Sequence, residues 1–145
     1  MKNIAMGMLL CSLIASAGAA ELKWETDVAV AQAKAKAENK LVMMDFTGSD
    51  WCGWCIKLNK EVFSTPEFMT YAQKNVVPVE IDFQRSKPQS AQLKKANEAL
   101  QGKYKVEGYP TIIVLDSNGK KVGELGYQPG GPKPFIAELD KLKKQ

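Results

Sequence analysis

The chain has 145 residues, 45% of them hydrophobic and 25% charged, with a formal net charge of +4; this suits one compact domain and excludes a wholly disordered chain. It contains no histidine, which excludes Ser-His and Cys-His nucleophilic pairs, HExxH zinc sites and an imidazole general base. Its three cysteines are an odd set, implying a leftover thiol or an intermolecular bridge unless one is lost.

Residues 1–20 combine Lys2, an apolar run from Ile4 to Ile14, and a tail of small residues. That is the pattern of a secretory signal peptide, and the run is shorter than the roughly 20 residues a spanning helix needs. Cleavage after Ala17, Ala19 or Ala20 fits equally well. Cys11 sits mid-run behind Leu10, an unsuitable place for lipid attachment. Its removal leaves Cys52 and Cys55 in a single domain over 21–145. The expected location is periplasmic or secreted, with no stable membrane insertion after cleavage. The basic excess is nearly all lysine, Arg85 being the one arginine, and no basic run suits nucleic acid.

In the mature chain, Asp27 caps a helix over Val28–Asn39, and Leu41–Phe46 reads as a buried strand. A helix runs from near Cys52 to Phe63. Thr65 and Pro66 then open another over Glu67–Lys74. Val76–Phe83 is a strand, with Pro78 marking an edge or irregularity. After a polar loop at 84–90, a helix covers Ala91–Gly102, with Leu93, Ala96 and Leu100 on one face. Thr111–Leu115 and Lys120–Tyr127 form a hairpin around Asp116–Gly119. A terminal helix opens at Pro134 and packs through Phe135, Leu139 and Leu142. This order implies an α/β fold, a central mixed β-sheet with helices on both faces.

The sharpest motif is Trp51-Cys52-Gly53-Trp54-Cys55, after a strand and opening a helix. A free thiol has a pKa of about 8.5, and the attacking species is the thiolate. Unsatisfied N–H groups and a partial positive charge at the helix N-terminus stabilise that form of Cys52. Cys55 lies one turn on, close enough to close a disulfide. Cys52 would attack a substrate disulfide and Cys55 would resolve the mixed disulfide.

These residues, with Gly108-Tyr109-Pro110-Thr111 and the closing hairpin and helix, resemble the thioredoxin-fold proteins exported to the bacterial cell envelope; the likeness covers 40–145. The resemblance implies a thioredoxin fold, a cis Tyr109–Pro110 bond lying against the disulfide, and substrate backbone pairing beside it. It matches Trp51 to the site tryptophan and Asp45 to a buried acid that moves the proton of the resolving thiol. The chain departs from thioredoxin in four places. One residue is added between Phe46 and Trp51, Gly53-Trp54 separates the cysteines, and about a dozen residues are added between Asp82 and Pro110, lengthening the helix before the cis-proline. Pro78 stands where thioredoxins carry the lysine facing the buried acid.

The expected function is a thiol–disulfide oxidoreductase, reducing rather than oxidising because no histidine lies between the cysteines. Cys52, Cys55 and Asp45 would carry the chemistry, and Trp51, Trp54, Tyr109 and Pro110 would bind substrate. Trp54 widens an apolar docking surface or is merely exposed. Expected partners are protein thiols and disulfides and a membrane-embedded or soluble thiol donor. No organic cofactor and no metal are expected, and the protein should be a monomer. A binding or chaperone module with permanently oxidised cysteines, and a thiol-based copper carrier, are the alternatives. Lys57 holds negative charge near the site or is solvated, Asp50 caps the helix or is solvated, and Met43 and Met44 are strand core.

Overall fold

The computed structural model describes residues 21–145, so the expected leader and Cys11 lie outside the described residues. The elements in order are α1 (Val28–Glu38), β1 (Leu41–Thr47), α2 (Gly53–Leu58, continued by a π turn over Asn59–Phe63), α3 (Pro66–Asn75), β2 (Val76–Asp82), α4 (Ala91–Tyr104), β3 (Thr111–Leu115), β4 (Lys121–Leu125) and α5 (Pro132–Lys143). Asp27 accepts from the Ala29 and Val30 amides and Thr65 from the Phe68 amide, so both expected caps are in place.

The sheet order is β2-β1-β3-β4, parallel between β1 and β2 and antiparallel elsewhere. All seven residues of β1 are buried, as a strand paired on both sides and covered on both faces must be. Period-two alternation divides its side chains. Leu41 and Met43 join Phe63, Phe68, Phe135 and Leu139 on the face covered by the π turn, α3 and α5. Val42, Met44 and Phe46 face Ala31 and Ala35 of α1. Both methionines are therefore core.

Pro78 lies on the outer edge of β2. Its carbonyl accepts from the Glu25 amide (2.9 Å) and the Glu80 amide returns a bond to Glu25 (2.9 Å). The missing proline N–H thus faces away from β1 and costs the ladder nothing.

The expected helix from Cys52 to Phe63 is in place, its second half a π turn in which the Ser64 amide bonds Asn59 (2.8 Å), a five-residue step. Three expectations are corrected. The terminal helix opens at Pro132 rather than Pro134. In α4 the buried residue is Asn97; Ala96 is exposed and Leu93 and Leu100 are half-buried. Asn97 donates to the Asp82 carbonyl at 3.0 Å and ties α4 to the end of β2. The last strand is shorter than Lys120–Tyr127 because its pairing ends at Leu125.

Phe135 is fully buried and packs edge-on against both Phe63 and Phe68. Phe135→Ala should therefore cost about 3–5 kcal/mol, while Val30→Ala, at a residue 44% exposed, should stay within about 0.5 kcal/mol. Urea denaturation of the two variants checks both values.

Candidate functional site

Strand β1 delivers the chain to a tight loop at one end of the sheet. The Gly48 carbonyl accepts from the Trp51 and Cys52 amides at 3.2 and 2.8 Å. Glycine is required there, since a Cβ would stand 2.6 Å from the Trp51 indole nitrogen. Two acids pin the loop. Asp82 accepts from the Ser49 amide at 3.0 Å and from its hydroxyl. Asp50 accepts from the Ser86 and Arg85 amides at 2.7 and 3.1 Å, bonds that hold its carboxyl below the usual range. Asp50 therefore fastens the loop after β2 rather than capping α2.

Cys52 is itself the N-cap of α2, in extended conformation, and its Sγ accepts from the Cys55 amide at 3.3 Å. Cys52 and Cys55 form a disulfide with a Cα–Cα distance of 5.2 Å. The Tyr109–Pro110 bond is cis, and Cys52 Sγ lies 3.7 Å from the Tyr109 carbonyl oxygen. Cys52, Cys55, Tyr109 and Pro110 are thus brought together.

The aromatic residues divide into two groups. Trp51 donates from its indole to the Phe83 carbonyl at 2.7 Å, meets Tyr109 edge-on at 5.8 Å, and carries the Arg85 guanidinium 3.5 Å above its ring. Tyr109 leans on Phe83 and its hydroxyl accepts from Gln101 at 2.8 Å. Across the cysteines, Trp54 is 57% exposed and Ile56 50% exposed. Trp54 leans on Tyr127 at 5.0 Å, with the Lys57 ammonium 5.2 Å from both rings. Lys57 thus sits on aromatic faces and within 4.0 Å of Glu61.

Behind Cys55 is a cavity of about 330 Å³ whose walls include Asp45, Glu80, Ser49, Asn59 and Trp24. Asp45 is 8% exposed, and its Oδ1 has no hydrogen-bond partner. Burial, then the charges of Glu80 and Asp82, push its carboxyl up to about 8. A larger groove of about 630 Å³ runs between α1 and α4. It contains no thiol, and its one carboxylate, Asp27, is occupied in capping α1. Among the described residues, no group of three or more His, Cys, Asp or Glu is placed to hold a metal, and no helix is long and apolar enough to cross a membrane.

Sequence reasoning passed over Glu80, Asp82, Arg85 and Tyr127. The signal for the first two was present: Glu80 and Asp82 alternate with apolar Val79 and Ile81, so they share one face of β2. Arg85 and Tyr127 reach the site only through tertiary contacts.

Residues 28–143 match the family described as Thioredoxin-like domain. The chain is 35% identical over 121 residues to the disulfide bond reductase DsbH of Chlamydia pneumoniae, covering 83% of this chain and 72% of that protein. It is 33% identical over 103 residues to the thioredoxin-related protein DsbJ of the same organism, spanning 71% of this chain but only 30% of that longer relative. A solved DsbH oxidoreductase superposes with a TM-score of 0.81 at 30% identity, over 99% of this chain and 94% of that one.

Asp45 also sets a pH dependence. Its folded-state value lies above its ordinary 3.8, so between pH 3.8 and about 8 the folded protein holds a proton that the unfolded chain has released. That stability is fully present below pH 3.8, declines as pH rises, and is gone above about 8. Urea midpoints at pH 5 and pH 9 should show wild type losing on the order of a few kcal/mol relative to Asp45→Asn. Parallel pH profiles would contradict the assignment.

Proposed function

The chain belongs to the thioredoxin-like family, and on that premise we propose that it is a thiol–disulfide oxidoreductase of the cell envelope that reduces disulfides in protein substrates. The observation that carries this is the Cys52–Cys55 pair at the start of α2 with the Tyr109 carbonyl against it. Support for the reducing direction comes from the 35% identity to a protein named a disulfide bond reductase, and from Gly53-Trp54, which places no cation between the cysteines.

In this reading Cys52 is the nucleophile. The first helical amides of α2 favour its thiolate, and the amide of Cys55 already points at its sulfur. Attack forms a Cys52–substrate disulfide and releases one substrate thiolate. Cys55 then attacks Cys52 Sγ, closes the intramolecular disulfide and releases the second thiolate. Asp45, behind Cys55, takes the proton of the resolving thiol when in its ionised form, which its raised value keeps in the minority at neutral pH. Trp51, Trp54, Tyr109 and Pro110 form the binding surface, with Trp54 and Ile56 the exposed apolar part. Electrons pass through the cysteine pair without an organic cofactor or metal, and a thiol donor, membrane-embedded or soluble, regenerates the dithiol. The mature domain, 21–145, acts as a monomer after removal of the leader, in the periplasm or outside the cell.

The reading predicts that the protein accelerates insulin reduction by dithiothreitol, that Cys52→Ser returns the rate to background, and that Cys55→Ala accumulates mixed disulfides with envelope proteins. Equilibration with glutathione should place the couple well below the −120 mV or so of the strongest oxidants of this type; a value near that limit would reverse the direction. Trp54→Ala should slow reduction of insulin several-fold while leaving reduction of a small-molecule disulfide unchanged. Equal effects on both would remove Trp54 from the docking surface.

A further inference from the structure

Glu80 stands directly beside Asp45. The two are register partners in the parallel β1–β2 pair, and both line the cavity behind Cys55. Asp45 is almost wholly buried with one oxygen unpartnered; Glu80 is only half-buried and reaches solvent. Asp82, the other acid on this face of β2, is engaged by Ser49 and also meets the Glu80 carboxyl, and Lys87 from the following loop acts on Glu80 more weakly than burial and Asp82 do. Cys55 faces the pair from α2, while Asn59 and Phe63 of the π turn and Trp24 bring no charge to the cavity. Among the described residues no cation therefore lines the cavity beside Asp45, and its neighbour is a second carboxyl.

We propose that Asp45 and Glu80 form a carboxyl pair that shares a single proton for exchange with Cys55, with Glu80 as the positioning residue that makes Asp45 a proton carrier matched to a thiol and opens it to solvent. This rests on the dithiol reading above. Two like charges on adjacent strands in a poorly solvated cavity do not ionise independently, so the pair titrates as a unit. Burial and the neighbouring charges raise Asp45 to about 8, and burial and Asp82 raise Glu80 as well. A carboxyl at its ordinary value is a poor match for a thiol near about 8.5, and the neighbouring charge adds to what burial already lifts.

The step balances. With the mixed disulfide formed on Cys52, the pair, having passed its shared proton to solvent through Glu80, takes the Cys55 proton onto Asp45, and the Cys55 thiolate attacks Cys52 Sγ. The Cys52–Cys55 bond forms, the Cys52–substrate bond breaks, and the substrate sulfur leaves as thiolate and is protonated by solvent. The two electrons of the dithiol now reside in the substrate thiols, and the pair again holds one proton. When a donor dithiol reduces the Cys52–Cys55 disulfide, the pair gives its proton to Cys55 and takes another from solvent through Glu80.

The test is a carboxyl-carbon NMR titration of Asp45 in the full, oxidised protein, with the pH profile of mixed-disulfide resolution alongside. Glu80→Gln should lower the Asp45 midpoint by about one pH unit or more, a tenfold loss of proton affinity. The inflection of the resolution rate should move by the same amount, and Glu80→Asp should restore both. Attack by Cys52, measured in a Cys55→Ala background, should be unaffected by Glu80→Gln. An unmoved Asp45 midpoint, or equal slowing of the Cys52 attack, would overturn the pair. The titration needs no substrate, so a wild type inactive on disulfides would count against the oxidoreductase reading alone.

Discussion

Strand β1 is paired on both sides and covered on both faces, and the site follows from where that strand must end. Along its length only uncharged side chains are tolerated without a partner, and Leu41 to Met44 meet that demand in both cores. Asp45, one step before Phe46, breaks the pattern on the face that carries α2 and the π turn. Its burial is the one expensive element of the strand. The expense is tolerable because the carboxyl is held protonated through neutral pH and because β1 comes out of the sheet two residues later. The loop that follows has no freedom to drift, since Asp82 holds Ser49 and Asp50 holds the chain after β2. Cys52 is therefore presented at one place, as the N-cap of a helix whose Cys55 amide points at its sulfur.

The two sulfurs consequently face different surroundings. Cys52 looks toward helix amides, the Tyr109 carbonyl and the aromatic groups formed by Trp51 with Tyr109 and by Trp54 with Tyr127. Cys55, one turn deeper, looks toward carboxyl groups. In the proposed mechanism the helix amides in front favour the thiolate of Cys52, and the carboxyl groups behind receive the proton of Cys55. That asymmetry is what a nucleophile and a resolving thiol need, and it calls on no histidine, which the sequence lacks.

Most of the fold could be read locally. Asp27, Thr65-Pro66 and Asp116–Gly119 are punctuation that works through near neighbours in sequence, and Pro78 marked an edge because a missing N–H has a purely geometric consequence. The cysteine pair was equally plain from its spacing and its place at a strand-to-helix junction. What escaped depended on distant partners. Asn97 is buried because it finds the end of β2, a requirement that no periodicity along α4 expresses. The π turn forms where Val62 and Phe63 must reach the core while Asn59 stays on the cavity. The pairing of Glu80 with Asp45 needed the register of two strands separated by two helices, and the stacking of Arg85 on Trp51 needed the loop that Asp50 holds.

In the proposed mechanism the α2 N-terminus, and not a neighbouring side chain, makes Cys52 the thiolate. Alkylation of the reduced protein with iodoacetamide across pH, each cysteine followed by mass spectrometry, tests it directly. The account predicts that Cys52 reacts first, with a midpoint below the 8.5 or so of a free thiol, and that Cys55 is protected while the protein is folded. Equal reactivity of the two cysteines, or a Cys52 midpoint at or above that of a free thiol, would contradict it.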